Sequence, residues 1–130
     1  MSVTFTQEEL EGFTGTEQYY RSSPFFKDIV HTDGVNHVAM NGGAWMVDVI
    51  NSHQLNQRVH AAEFQVWDFQ VNEDHSCKAV CTDGMSDEET ILITQEIPYT
   101  DLPFNVKFFL ELGSLDMVNP AWVILLPSEH

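Results

Sequence analysis

The chain has 130 residues, 43% of them hydrophobic and 12% aromatic, enough to build the core of one domain and too apolar for disorder. Five Lys and Arg stand against twenty Asp and Glu, a net charge of −15, which argues against binding nucleic acid or an anionic membrane and favours basic surfaces. No apolar run approaches the ~20 residues of a membrane span, and MSVTFTQEEL lacks the basic head and apolar middle of a signal peptide, so a cytoplasmic protein is expected.

In chain order, Thr6 and Glu9 form a capping box, with Phe5 and Leu10 placed as a hydrophobic staple, so a short helix is expected near 7–12, ending at Gly12. Thr14 with Glu17 repeats the pattern ahead of Tyr19, Tyr20 and Arg21. Ser23-Pro24 suits the cap and first position of another helical turn through Phe25, Phe26 and Ile29. In HTDGVNHVAMNGG, Thr32 or Asp33 can cap a helix whose apolar face is Val35, Val38 and Ala39, and Asn41-Gly42-Gly43 ends it. Met46, Val49, Ile50 and His53 then mark the most regular amphipathic helix, about 43–54, and residues 55–62 connect this helical half to a sheet.

Residues 63–97 read as a three-strand antiparallel meander, EFQVWDFQV, SCKAVC and EETILITQEI, around which the remainder must pack. Trp67, Phe69 and Val71 alternate with Gln65, Asp68 and Gln70, while Phe64 and Val66 have the opposite phase, which implies a bulge or cover on both sides. Asp83-Gly84 favours a turn in the second hairpin, and Pro98 ends the third strand. Pro103 opens an expected helix through Phe104, Val106, Phe108, Phe109 and Leu112 to Gly113. The unbroken apolar run from Ala121 to Leu126 belongs to a strand inside the sheet. The expected class is α+β: an antiparallel sheet of about four strands, the meander plus the C-terminal strand, covered by N-terminal helices and one helix before the last strand.

Six phrases, GTEQYYR (15–21), TDGV (32–35), GAWMVDVI (43–50), EFQVW (63–67), TQEIPYTDLP (94–103) and LLPSE (125–129), together resemble a family of small bacterial and mobile-element proteins, domain of unknown function family 6876. The resemblance spans nearly the whole chain. It implies a compact domain of a kind found near plasmid, phage or defence-related genes, and it carries no activity. His31 stands where the resemblance leads one to expect an aromatic residue before TDGV.

No catalytic motif emerges, and no metal or cofactor site is expected. The histidines at 31, 37, 53, 60, 75 and 130 show no ligand spacing, and Asp33 with His37 reads as a surface hydrogen bond. Cys77 and Cys81, ~13 Å apart along one strand, are beyond disulfide reach and read as small core residues. Cys81 lies near Asp83, whose charge would weaken it as a nucleophile. Gly42-Gly43 is a helix break, with no Lys or Arg nearby to hold phosphate.

The acids carry the functional expectation. Glu73, Asp74, Asp83, Asp87, Glu88 and Glu89 lie in or beside the two hairpin loops, forming a negative rim of ~20 Å for strands of about six residues. They are the expected partner-binding residues of an acidic interaction protein, a nucleic-acid-mimicking inhibitor of the anti-CRISPR or anti-restriction type. Its partner would be a basic protein surface such as that of a nuclease or CRISPR effector. The alternative is a small enzyme or ligand-binding domain with a pocket between helix 43–54 and the sheet, lined by Asp33, His37, Trp45 and Asp48. A third reading is a homodimer formed through the aromatic N-terminal segments.

Overall fold

A computed structural model describes residues 3–23, 26–84, 90–114 and 120–130. The chain runs α1 (Gln7–Glu11), β1 (Tyr20–Ser23), β2 (Phe26–His31), α2 (Asp33–Val38), α3 (Ala44–His53), α4 (Gln57–His60), β3 (Phe64–Val71), β4 (Cys77–Thr82), β5 (Ile91–Ile97), β6 (Val106–Ser114) and β7 (Pro120–Leu125). A wide helical turn, Ala39–Gly43, links α2 to α3, and a 3₁₀ turn, Pro127–Glu129, comes after β7. The strands form one mixed sheet in the order β1-β2-β7-β6-β3-β4-β5. Every neighbouring pair is antiparallel except β2 and β7, which run parallel. The sheet therefore has seven strands where about four antiparallel ones were expected.

The meander is as expected, as are β7 inside the sheet and the capping box at α1, where Glu9 N–H donates to the Thr6 hydroxyl and Thr6 N–H donates to the Glu9 carboxylate. Thr32 caps α2, and the wide turn that follows it is broken where Gly42 takes φ 98°, a conformation that glycine adopts without penalty. Gly84 takes φ 72°, the positive φ expected of it, and the loop that continues from it through residues 85–89 lies outside the described residues. α3 buries Met46, Val47 and Ile50, close to the expected stripe, and the connection 55–62 contains α4.

Three expectations fail, all in the same direction. The segment after Thr14 becomes β1, and the turn expected at Phe26 and Ile29 becomes β2; Pro24 and Phe25 lie outside the described residues. The helix expected at 103–113 is strand β6. Val106, Phe108 and Leu110 are buried while Lys107 is exposed and Phe109 is half-buried, a period of two that the aromatic density at Phe104, Phe108 and Phe109 disguises. Backbone pairing decides the matter, because β6 lies between β3 and β7 and hydrogen-bonds to both.

Strand registers sort the side chains onto two faces. Ile29, Trp67, Phe69, Cys77, Ala79, Cys81, Val106, Phe108, Leu110, Trp122 and Ile124 share the face covered by α2, α3 and α4, whose Val35, Val38, Met46, Ile50 and Val59 complete the core. Trp67, Phe69 and Phe108 are fully buried, each stabilising the fold by about 1.5–3 kcal/mol relative to exposure. Gln65 corrects the expected alternation: it lies on this core face beside Trp67 and is also fully buried. The opposite face carries Phe64 and Val66, which explains their contrary phase. Gly84 packs on both, and the His130 ring meets Phe64 and Phe109.

Truncating Phe108 to Ala should cost about 3–5 kcal/mol in urea unfolding, whereas Lys107→Ala should stay within about 0.5 kcal/mol. Equal costs at the two positions would contradict the two-residue period of β6.

Candidate functional site

The phrases that carry the family resemblance, far apart in sequence, meet at the start of α2. Asp33 accepts hydrogen bonds from the Glu17 N–H at 2.9 Å and the Tyr20 hydroxyl at 3.1 Å, and its own N–H donates to the Thr16 hydroxyl at 2.9 Å. Glu129 arrives from beyond β7. One of its oxygens accepts from the Thr32 hydroxyl at 2.6 Å and the Leu126 N–H at 3.0 Å, and the other from the Gly34 N–H at 3.1 Å. GTEQYYR, TDGV and LLPSE thus form one hydrogen-bonded node that ties β1, α2 and the C-terminal turn together. A Cβ on Gly34 would lie 2.7 Å from Glu129 Oε1 and from Leu126 Cδ1, so this approach needs a residue without a side chain. His31 stacks on Tyr20 with ring centroids 5.6 Å apart and bonds Asn36 at 3.2 Å, filling the place where an aromatic residue was expected.

The Glu17 N–H chiefly holds the Asp33 carboxyl below the usual carboxylate range, with the Tyr20 hydroxyl adding and burial opposing. Backbone and hydroxyl bonds to Thr6 lower Glu9 in the same way, and His37 adds to the effect. His37 Nε2 stands 3.2 Å from Glu9 Oε2, within ion-pair distance although not aligned as a hydrogen bond. Two surface depressions adjoin here on either side of Phe13. One of about 300 Å³ is lined by Glu9, Gly12, Phe13 and His37; the other, of about 430 Å³, by residues 12–17 and Asp33. Of the carboxylates on their walls, Glu9 already serves in a helix cap and Asp33 as a turn anchor.

Of the expected pocket residues, only Asp33 and His37 line these depressions. Trp45 packs edge-on against Phe69 with centroids 5.6 Å apart, and Asp48 lies exposed on α3. The space between α3 and the sheet is filled by Met46, Ile50, Trp67 and Phe69. Beneath α3 and α4 lies a polar network that sequence reasoning missed. The Gln65 amide donates to the Gln54 Oε1 at 3.0 Å and to the Val59 carbonyl at 3.0 Å, and Gln65 Oε1 accepts from the Trp67 indole N–H at 3.0 Å and from Gln54 Nε2 at 2.9 Å. Burial, reinforced by Asp83, pushes the adjacent Cys81 thiol up to about 12, so it stays protonated. Among the described residues no group of three or more His, Cys, Asp and Glu side chains is placed to hold a metal ion.

The expected partner-binding acids frame β4 and β5. Asp74 turns the β3–β4 hairpin by accepting from the Ser76 hydroxyl at 2.6 Å and the Ser76 N–H at 3.0 Å, contacts that lower its pKa; Glu73 beside it is exposed. Asp83 accepts from the Thr90 N–H at 3.1 Å where β5 begins. The two loops fall at opposite ends of the strands, as expected for a meander. Asp87, Glu88 and Glu89 lie outside the described residues.

The family of unknown function DUF6876 matches residues 4–130. The chain belongs to this family. Neither the curated proteins nor the solved structures contain a match to it. For this DUF6876 domain, no helix among the described residues is long and apolar enough to cross a membrane.

Glu129→Ala should destabilise the domain by about 1–3 kcal/mol, because it leaves the Gly34 and Leu126 N–H groups and the Thr32 hydroxyl without their acceptor. Gly34→Ala should disrupt the same node, and the double variant should lose less than the two single losses combined; strict additivity in urea unfolding would show the node is not a unit. Burial lowers the His31 pKa, with the Asn36 bond opposing, so the folded state favours neutral imidazole. That contribution to stability is present above the ordinary histidine pKa of ~6.5 and is lost as pH falls from there through the lower folded-state value. His31→Phe should flatten this part of the stability–pH curve; an unchanged slope assigns it to another group.

Proposed function

We propose that this DUF6876 protein is an acidic interaction domain that presents fixed negative charge to a basic surface on another protein. The reading is supported by where the cations go. Lys78 stands directly opposite Glu96, and Lys107 directly opposite Asp68, in neighbouring strands. Two of only five Lys and Arg are thus placed opposite acids within the sheet, and the excess of acids falls on the loops, helices and edges. There Glu8, Glu11, Glu17, Asp48, Glu63 and Glu73 are all exposed. Such a field attracts cationic surfaces and repels phosphates. The partner class that this charge favours is a basic nucleic-acid-binding site, as on a nuclease or a CRISPR effector, which the domain would occupy in place of nucleic acid. Asp74, Asp83 and Asp33 fit that role because hydrogen bonds hold them in place, so docking orders little that is not already ordered.

Capture of the domain on an immobilised basic nuclease should weaken steeply with added salt, since screening shrinks from ~30 Å at 0.01 M to ~8 Å at 0.15 M ionic strength. Glu73→Lys combined with Glu88→Lys and Glu89→Lys should lower low-salt affinity by about tenfold or more while leaving the unfolding midpoint nearly unchanged. Capture that ignores salt, or that survives the reversal, would overturn the reading.

A further inference from the structure

The sheet has two edges. β1 spans four residues, and β5 spans seven. An edge strand presents alternate backbone N–H and C=O groups on its outer side, ready to pair with another chain. Proteins commonly blunt such edges with lysine, proline or a very short strand. β5, ILITQEI, contains neither residue, and its ladder is irregular only at its start, opposite Cys81 and Thr82. Among the described residues, one hydrogen bond from outside the β4 ladder reaches its backbone, from Arg58 Nη2 to the Ile91 carbonyl at 3.4 Å.

What surrounds this edge says what it fits. Large apolar groups stand exposed at both ends, Ile91 at 58% and Tyr99 at 70%. Acids stand at both ends too. Asp83 is bonded to Thr90 at the entry, and at the exit the Thr100 N–H donates to the His75 carbonyl at 2.8 Å, which brings the loop of Glu73 and Asp74 alongside. Glu96 lies exposed between them. A second copy pairing antiparallel here would set Asp83 of each copy against Glu73 and Asp74 of the other, acid against acid. An extended segment carrying Lys or Arg at its ends meets no such repulsion.

We infer that β5 is the docking edge for an extended basic segment of the partner, which adds to the sheet as a further strand. Main-chain hydrogen bonds supply the affinity, Ile91 and Tyr99 the apolar anchors, and Asp83, Glu96, Glu73 and Asp74 the selection for positive charge. This rests on the proposed preference for a basic partner and adds the place and manner of binding.

The test uses the full chain and an alternating valine–threonine peptide with paired lysines at each end. Two control peptides accompany it, one N-methylated at alternate residues with its charge unchanged, the other with glutamates replacing the lysines. The lysine peptide should bind at low salt and slow amide exchange within Ile91–Ile97, the N-methylated form should bind about tenfold more weakly, and the glutamate form should not bind. If the N-methylated peptide binds as well, or binding leaves β5 exchange unchanged, the docking edge is wrong while the preference for basic partners stands. If no basic peptide binds at low salt, both fall. Sedimentation as a dimer with β5 amides already protected before any peptide is added overturns the assignment in favour of a second copy.

Discussion

The buried carboxamide of Gln65 imposes a directional constraint that the surrounding apolar contacts do not. An amide placed on a fully dry sheet face costs several kcal/mol unless every polar atom finds a partner. Its partners include the side chain of Gln54 near the end of α3, the Val59 carbonyl in α4, the Ala62 carbonyl just after α4, and the indole of Trp67 two residues along its own strand. The short turn between α3 and α4 must therefore sit at one height and one angle over β3. The hydrophobic effect is non-directional, so apolar packing specifies position through shape alone. The hydrogen bonds add direction, and the stack of His53 on Trp67, with its bond to Gln95 at 2.6 Å, fixes the other side of α3.

A second organising contact lies at the far end of the sheet, where Glu129 reaches the start of α2. The two nodes divide the work. One seats α3 and α4 on the centre of the sheet, and the other fastens the exit of β7 to the helix that succeeds its parallel neighbour β2. Between them the apolar core fills in, and the opposite sheet face is left to alternate cross-strand charges with half-buried Phe64, Val66 and Phe109.

The central part of this architecture was legible in the sequence because its signals are local. The alternation in Trp67, Phe69 and Val71, the capping box of Thr6 and Glu9, and the Asn41-Gly42-Gly43 stop each depend on residues within one turn or strand. β1, β2 and β6 were not legible, because their strand character comes from neighbours distant in the chain. Phe104, Phe108 and Phe109 satisfy a helical stripe as readily as a strand, and only pairing with β3 and β7 chooses between them. Among candidate site residues, Glu73 and Asp74 lie in the β3–β4 hairpin and Asp83 at the opposite end of β4, while Asp87, Glu88 and Glu89 lie outside the described residues. Trp45 and Asp48 did not join Asp33 and His37, since the helix break at Gly42 turns α3 away from α2. Glu129 could not have been found by spacing: 97 residues separate it from the Thr32 hydroxyl that it accepts from.

The parallel pairing of β2 with β7 has a consequence for how the chain is made. β7 lies between β2 and β6, so until residues 120–125 emerge from the ribosome the sheet exists at most as two fragments, β1-β2 and β6-β3-β4-β5, each with a raw flank facing the gap. Of the described strands, synthesis delivers the keystone last, long after its parallel partner β2 has appeared. The nascent polypeptide must hold those flanks apart from other chains until the wedge arrives, which makes the interval between the appearance of β6 and the docking of β7 the period of greatest exposure to misassembly.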